Sequence, residues 1–315
     1  MVQRIKKMIS LSYDYLGLVL ALSILITIFG ILARNFFTIT NFQTIANQIP
    51  DITIVAVGMT FVLIIAGIDL SVGAVMALSG AVLGIMLVSY EWTLPGAIMA
   101  CLATGFLCGM LNGFIVIKWS IPSFIVTLGM LEIARGTAYL VTGSRTMYIG
   151  GPVEAIIETS ILGLSMPFFI ALMIVLFSQV VLTRTIFGRY LVAIGTNEEA
   201  VRLSGIDPRK YKLAVFTLCG LLTSIAAIMH TARLSSANPN AGYGLELQAI
   251  AAVVIGGTSL MGGRGSIIST FFGVLIIAVL DTGLAQIGAQ ESTKRLITGL
   301  VIVAAVILDH YRHRK

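Results

Sequence analysis

The sequence predicts an all-α integral membrane protein of about ten transmembrane helices, and three observations carry that reading. The 315 residues are 57% hydrophobic and only 11% charged, with a mean hydropathy of +1.00, whereas soluble domains carry roughly 25% charged residues. The apolar residues gather into ten runs, at 16–33, 50–66, 71–88, 94–117, 121–142, 167–183, 213–233, 247–258, 266–283 and 295–309. The basic residues between those runs are unevenly distributed. The net charge of +6 therefore reads as an orientation signal rather than a nucleic-acid patch, because the charges punctuate apolar runs instead of clustering. The whole of 1–315 reads as a single transmembrane domain.

Arg4, Lys6 and Lys7 precede the first run, which is long enough to span and is followed by no small-x-small cleavage pattern. It is expected to remain as an uncleaved first span. With the N-terminus placed in the cytoplasm and one crossing per run, fourteen of the 20 Lys and Arg fall inside, including Lys118, Arg184 to Lys212, Arg264 and Lys315. Five fall outside: Arg34, Arg145, Arg233, Lys294 and Arg295. That asymmetry puts both termini in the cytoplasm.

The second span ends in IIAGIDLSVG and the eighth in IGGTSLMGGRGS. The eighth run offers 12 residues against the ~20 a crossing needs. The two regions echo each other: Ile65, Gly67, Leu70 and Gly73 recur as Ile255, Gly257, Leu260 and Gly263, 190 positions on, which suggests an internal repeat. Short, glycine-interrupted helices in matching halves point to a binding or translocation site, because irregular backbone at membrane depth must line a cavity or be buried in protein. The competing reading is two ordinary turns. Asp69, inside the first break, is read either as an acceptor on a pathway or as the N-cap of a helix from Leu70 onwards.

In the fourth span Gly105, Gly109 and Gly113 form a stripe, with Cys101 one turn earlier, that lets another helix approach closely. In the fifth, Glu132 and Arg135 are three apart and are expected to pair. Cys101, Cys108 and Cys219 lie in apolar runs and read as packing residues. Asp281 near the end of the ninth span needs no special role. Two outer loops are candidates for an external partner: 142–166, with a short surface helix at 154–164, and the polar stretch SSANPNAGYGLE at 235–246.

The central loop 184–212 holds six basic residues and a miniature helix marked at both ends. Thr196 is placed as N-cap with Glu199 completing a capping box, and Gly205 sits where a left-handed C-terminal cap belongs. Asp207 and Pro208 restart the next helix. The piece between, Asn197 to Ser204, puts Ala200, Val201, Leu203 and Ser204 on one side and Glu198, Glu199 and Arg202 on the other, a face built to dock into a partner.

Several chemistries are excluded. There is no GxxxxGK[ST], so no P-loop for ATP, and no HExxH. His230, His310 and His313 have no metal-ligand spacing, so no metal site is expected. Asp69 and Asp281 lack the preceding Tyr and Gly-x-Gly of intramembrane aspartyl proteases. The chain reads as a non-enzyme.

GIDLSVGAVMALSGA (67–81), GRYLVAIGTNEEAVRLSGI (188–206), LCGLLTSIAAIMHTARLSSANPNAG (218–242) and ELQAIAAVVIGGTSLMGGRGS (246–266) closely resemble the permease subunit of ribose-type ABC sugar importers. ARNFFTITNF (33–42) and AVGMTFVLIIAGIDLSVG (56–73) extend the likeness to the first spans, so it covers essentially the whole chain. The resemblance implies a homodimer of ten-helix subunits in a bacterial inner membrane, importing ribose or a related monosaccharide. A cytoplasmic ABC ATPase carrying ATP and magnesium would drive it, and a periplasmic sugar-binding protein would deliver the substrate. It assigns Thr196, Asn197, Glu198, Glu199, Ala200, Val201, Arg202, Leu203, Ser204 and Gly205 to the helix that couples to the ATPase. A sugar path wants hydroxyl and amide groups rather than charges, which marks Ser71, Asn112, Thr258 and Ser259, and the glycine-rich breaks add Gly67, Asp69, Gly73, Gly257 and Gly263 as pathway candidates. The rivals are an ion-coupled secondary sugar transporter and a non-transporting membrane scaffold.

Overall fold

The computed structural model describes the backbone of residues 2–312, and the side chains of 15–151, 153, 154, 156, 159–301, 303 and 304. The side chains of Arg4, Lys6, Lys7, Glu158, His310, His313, Arg314 and Lys315 lie outside the described residues. The chain is helical almost throughout: α1 (Val2–Leu32), α2 (Ile39–Gln48), α3 (Pro50–Ile64), α4 (Val72–Val88), α5 (Leu94–Trp119), α6 (Ser123–Thr142), α7 (Gly151–Glu158), α8 (Met166–Arg184), α9 (Ile186–Thr196), α10 (Glu198–Leu203), α11 (Pro208–Leu234), α12 (Leu245–Ile255), α13 (Ile267–Gln286) and α14 (Glu291–Arg312). Four two-residue strands form in the loops 142–166 and 235–246: β1 (Met147–Tyr148) pairs with β4 (Ser236–Ala237), and β2 (Ser160–Ile161) with β3 (Leu164–Ser165), all antiparallel.

All ten apolar runs fall on helices, but fewer than ten cross unaided. Among the described residues six helices are long and apolar enough (α1, α5, α6, α8, α11 and α13), and a seventh span is the pair α2–α3, bent by 47°. The bend sits at Pro50, the first residue of α3, where a proline has no N–H to extend the preceding helix. α4 and α12 are short, at 17 and 11 residues, because non-helical backbone at 65–71 and 235–244 takes over part of each passage. The surface helix placed at 154–164 forms instead at 151–158, where Pro152 occupies the first turn, and the β2–β3 hairpin follows it. Side chains of Gln43 and Asn47 on α2 hold that hairpin through the carbonyls of Leu162 and Gly163.

The bundle is built around α3 and α11. α3 is apolar on every side and buried from Thr53 to Ile64, as an all-round hydrophobic helix must be. α11 packs against α5, α3 and α4, while α13 packs against α12 and α1. Along α5 the glycine stripe does what its spacing predicts. Gly105 lies against the carbonyl of Gly220 and the side chain of Ser224, Gly109 against the backbone of Phe216 and Gly220, and Gly113 against Leu213 and Phe216. Cys101 points its thiol at the Ser224 carbonyl, and all three cysteines are free and buried.

The charged residues sort to two ends of the bundle. One end of the bundle carries α10, Lys118, Arg184 and Arg264; the other carries the hairpin, Arg34, Arg145 and Arg233. These are the "α10 end" and the "hairpin end" below.

A leucine side chain at Gly109 would run into the α11 backbone, so Gly109→Leu is expected to cost about 3 kcal/mol or more, the upper range of overpacking. A Cβ at Gly129, inside α6, meets nothing within 4 Å, so Gly129→Ala is expected to raise stability by up to about 1 kcal/mol. Thermal unfolding of the two purified variants in the same detergent checks both expectations.

Candidate functional site

The loop between α8 and α11 is more ordered than its composition suggests. It opens with α9, whose N-cap Thr185 accepts from the Gly188 N–H. α9 runs through Thr196, and this shifts the cap of the next helix. Thr196 is helical and its hydroxyl donates back to the Val192 carbonyl, so it cannot take the extended backbone an N-cap requires. Asn197 does so, with φ −160° and ψ 96°, and accepts from the Ala200 N–H at 2.9 Å. Glu199 therefore closes no capping box; it pairs with Arg202 at 2.7 Å.

The C-terminus of α10 forms as expected. Gly205 has φ +83°, and the N–H groups of Gly205 and Ile206 close onto the carbonyls of Arg202 and Val201. Asp207 caps α11 through the Arg209 N–H, with Pro208 in its first turn. The packing face is narrower than the sequence suggested. Only Val201 is buried, whereas Ala200 and Ser204 are exposed and Leu203 is 79% exposed. α10 thus stands out from the bundle, steadied by Lys212 on Glu198 at 2.5 Å.

The two glycine-rich breaks meet directly beneath α10. The Ile64 carbonyl, last in α3, accepts the N–H of Gly263 at 2.9 Å, and Gly195 of α9 packs onto the same carbonyl. A side chain at Gly195 has no room there. Gly262 lies against Ala66, and Gly263 against Thr196. α3 and α12 end in the same geometry. Ala66 (φ 57°) and Gly257 (φ 83°) are left-handed, and the N–H groups of Gly67 and Thr258 reach back to the carbonyls of Val62 and Val253. The backbone match pairs Ala66 with Gly257, one residue out of step with the echo in the letters, and the loops diverge after it.

Past that cap the first break climbs back into the bundle with its polar groups satisfied by side chains. Ser123 accepts from the Ile68 N–H, and Thr127 accepts from the Leu70 N–H and donates to the Ile68 carbonyl. Asp69 is buried and accepts from both the N–H (2.9 Å) and hydroxyl (2.6 Å) of Ser71, a turn of the Asx type. It is not the N-cap of α4; that position belongs to Ser71. Asn112 donates to the Ser71 hydroxyl at 3.0 Å, while its own carbonyl oxygen and the Thr258 hydroxyl are buried without a partner. Ser259 is buried in the matching break. Gly73 lies against the Gly242 carbonyl and Glu246, where the non-helical passage into α12 arrives.

This polar joint separates two cavities. One, of about 820 Å³ at the α10 end, is lined by Gly67, Ser123, Arg202 and Lys212. The other, of about 490 Å³ at the hairpin end, is lined by Met76, Gly242 and Gln248 among others. Between Gly67 and Met76, Asp69 and the run from Ser71 to Val75 are buried.

Two charge arrangements differ from expectation. Arg135 does not pair with Glu132, which is exposed; it donates to the carbonyls of Pro239 (2.7 Å) and Ala241 (2.8 Å) and so anchors the non-helical passage. The sequence reading also missed a cluster at the hairpin end, where Asp51 meets His230 Nδ1 and Arg233 Nη2, each at 2.8 Å. The available signal was His230 and Arg233 three apart at the end of one span and Asp51 at the start of another. Nothing in the letters says that those two helix ends are neighbours.

Residues 41–306 match the family described as branched-chain amino acid transport system / permease component. The chain is 43% identical over 296 residues to the ribose import permease protein RbsC of Escherichia coli (strain K12), covering 92% of each chain. It is 39% identical over 300 residues to the RbsC of Bacillus subtilis (strain 168), covering 93% of this chain and 92% of that one. To the D-allose transport system permease protein AlsC of Escherichia coli (strain K12) it is 36% identical over 304 residues, covering 95% and 93%.

The geometry of Asp69 separates its hydrogen bonds from its charge. Asp69→Asn keeps the Oδ1 acceptor and is expected to stay within about 1 kcal/mol of the parent, whereas Asp69→Ala strands the Ser71 donors and is expected to cost about 1–3 kcal/mol. Thermal melts of the two variants side by side read the difference.

Proposed function

The chain belongs to the branched-chain amino acid transport system / permease component family, and from that premise we propose that it is the membrane-spanning permease of an ATP-driven importer of ribose or a related monosaccharide. The observation that carries the mechanism is the joint beneath α10. An exposed, doubly capped helix is tied through Gly195, Ile64 and Gly263 to the buried segment dividing the two cavities. A partner that moves α10 moves that barrier. The sugar assignment draws on what the ribose and D-allose relatives are named for and on their coverage of nearly the whole chain.

In this reading Thr196 to Gly205 dock on a separate cytoplasmic ABC ATPase, which holds the ATP and magnesium. Leu203 and Ala200 supply the apolar contact, and the fixed cap at Gly205 keeps α10 rigid. Gly67, Asp69, Ser71, Gly73, Asn112, Gly257, Thr258, Ser259 and Gly263 form the barrier and line the path when it opens. A periplasmic binding protein delivers sugar to the hairpin end, and a second copy of the chain completes the transporter in the bacterial inner membrane, with both termini cytoplasmic. Two global states, biased in opposite directions by ATP and by the loaded binding protein, are what such coupling requires.

Uptake of labelled D-ribose by right-side-out membrane vesicles of the native host, supplied with its periplasmic binding protein, tests the proposal. Uptake that needs ATP and this chain supports it. Uptake that follows an ion gradient without ATP would instead support a secondary carrier, and unchanged uptake on deletion a scaffold. A second expectation concerns α10 itself. A Cβ at Gly205 meets nothing within 4 Å, so Gly205→Val acts through the backbone alone, at about 1–2 kcal/mol for a left-handed residue. Transport by Gly205→Val is expected to fall severalfold while membrane insertion, read by immunoblot of the membrane fraction, is unchanged.

A further inference from the structure

The cavity at the hairpin end has a lining that the coupling mechanism leaves unused. Its volume of about 490 Å³ is within the roughly 300–1,000 Å³ of small-molecule sites. It exists because α12 starts late: the first turn of α12 and Met76 of α4 make its floor, and α3, α11 and α13 make its walls. The strong charges on one wall are already neutralised, since Asp51 holds His230 and Arg233. Other polar side chains there lack hydrogen-bond partners among the described residues, although the Lys294 charge acts on Asp281 and Arg135 lies 5.9 Å from the Tyr243 ring centroid. Among the described residues no hydrogen bond involves the side chains of Gln48, Gln248, Asp281 or Thr282, all four of which line the cavity. Two amides, a hydroxyl and a carboxylate together offer donors and acceptors in quantity with little net charge. Tyr243, 75% exposed, adds an aromatic ring with a polar tip at the cavity wall.

That combination suits a small neutral polyhydroxylated molecule. An anion would face Asp281 with Arg233 already taken, and an apolar ligand would leave four polar side chains dry. We propose that this cavity is the monosaccharide's binding site within the permease. Gln48, Gln248 and Thr282 contact its hydroxyls, the Asp281 carboxylate accepts from a vicinal pair, and Tyr243 covers one ring face. The inference rests on the sugar-importer reading, which supplies the substrate class, and adds a place for it distinct from the buried barrier.

The test uses the full chain in right-side-out vesicles of its native host. Cys101, Cys108 and Cys219 are buried, so a single added cysteine is the one a membrane-impermeant maleimide reaches. Gln248→Cys at the cavity floor is compared with Leu162→Cys at the hairpin tip, with D-ribose and D-allose as probes. The expected result is that one of these sugars slows labelling of Gln248→Cys and leaves Leu162→Cys unaffected. In parallel, Gln248→Ala and Asp281→Asn are expected to raise the KM for uptake about tenfold each, the worth of one lost hydrogen bond, with amounts of inserted protein unchanged. Labelling of Gln248→Cys that neither sugar alters, in vesicles whose wild-type chain imports one of them with ATP, overturns the site and leaves the importer reading standing. So does a Gln248→Cys chain that inserts and resists labelling altogether. A wild-type chain that, in vesicles supplied with the host's periplasmic binding proteins, imports no monosaccharide from a pentose and hexose panel overturns the importer reading and the site with it.

Discussion

The carbonyl of Ile64 is the point on which the rest of the molecule turns. It is the last acceptor of α3, and a helix end inside an apolar bundle must place such a group somewhere. Here it takes the Gly263 N–H from the loop that follows α12 and lies under Gly195 of α9. Three stretches separated by 131 and 68 residues of sequence, around Ile64, Gly195 and Gly263, are thereby fixed to one atom. Gly195 reaches this carbonyl because it has no side chain to hold it off. α10 extends from the joint on one side, and the buried segment from Asp69 to Val75 on the other.

Fixing those backbones together gives the barrier a particular character. The irregular backbone turns in from the cavity edge at Ala66 and Gly67, and over 68–71 Ser123, Thr127 and Asp69 satisfy it one hydrogen bond at a time. A seal made of short side-chain hydrogen bonds at helix ends can exchange partners without unfolding any helix. The stripe-packed pair α5 and α11 behaves oppositely. Its backbones are in contact through Gly105, Gly109 and Gly220, leaving no freedom to slide. The bundle therefore combines a rigid spine with a polar joint beside it, the pairing that a hinge-like transition between two packed states needs.

Much of this was legible from the letters, and the failures have physical causes. Composition and run lengths gave the membrane class; the spacing of Gly105, Gly109 and Gly113 gave a helix contact; Gly205, Asp207 and Pro208 marked the ends of α10 and α11. The cap at Thr196 was misplaced because α9 was invisible: its residues, apolar on one face with Gly188 and Gly195 inside, look like loop until the neighbouring helix ends are known. Arg135 was assigned to Glu132 by spacing on one helix, yet a long guanidinium serves carbonyls of a distant passage better than an exposed partner. Asp51 with His230 and Arg233 went unseen because ion pairing across 179 residues is a property of topology. The internal echo pointed to two similar helix ends, correctly in kind and one residue out in register, because the capping geometry constrains backbone hydrogen bonds more tightly than side-chain identity.

The claim at the centre is that motion at α10 reaches the barrier through the contact of Gly195 with Ile64. The direct measurement is the number of sugars imported per ATP hydrolysed by the assembled transporter carrying Gly195→Ala, whose added methyl must push the Ile64 carbonyl away. The account predicts that the partner still binds and hydrolyses ATP while import per ATP falls severalfold. An unchanged ratio, in a variant that inserts and assembles normally, would show that the joint transmits nothing and that the barrier is opened by some other route.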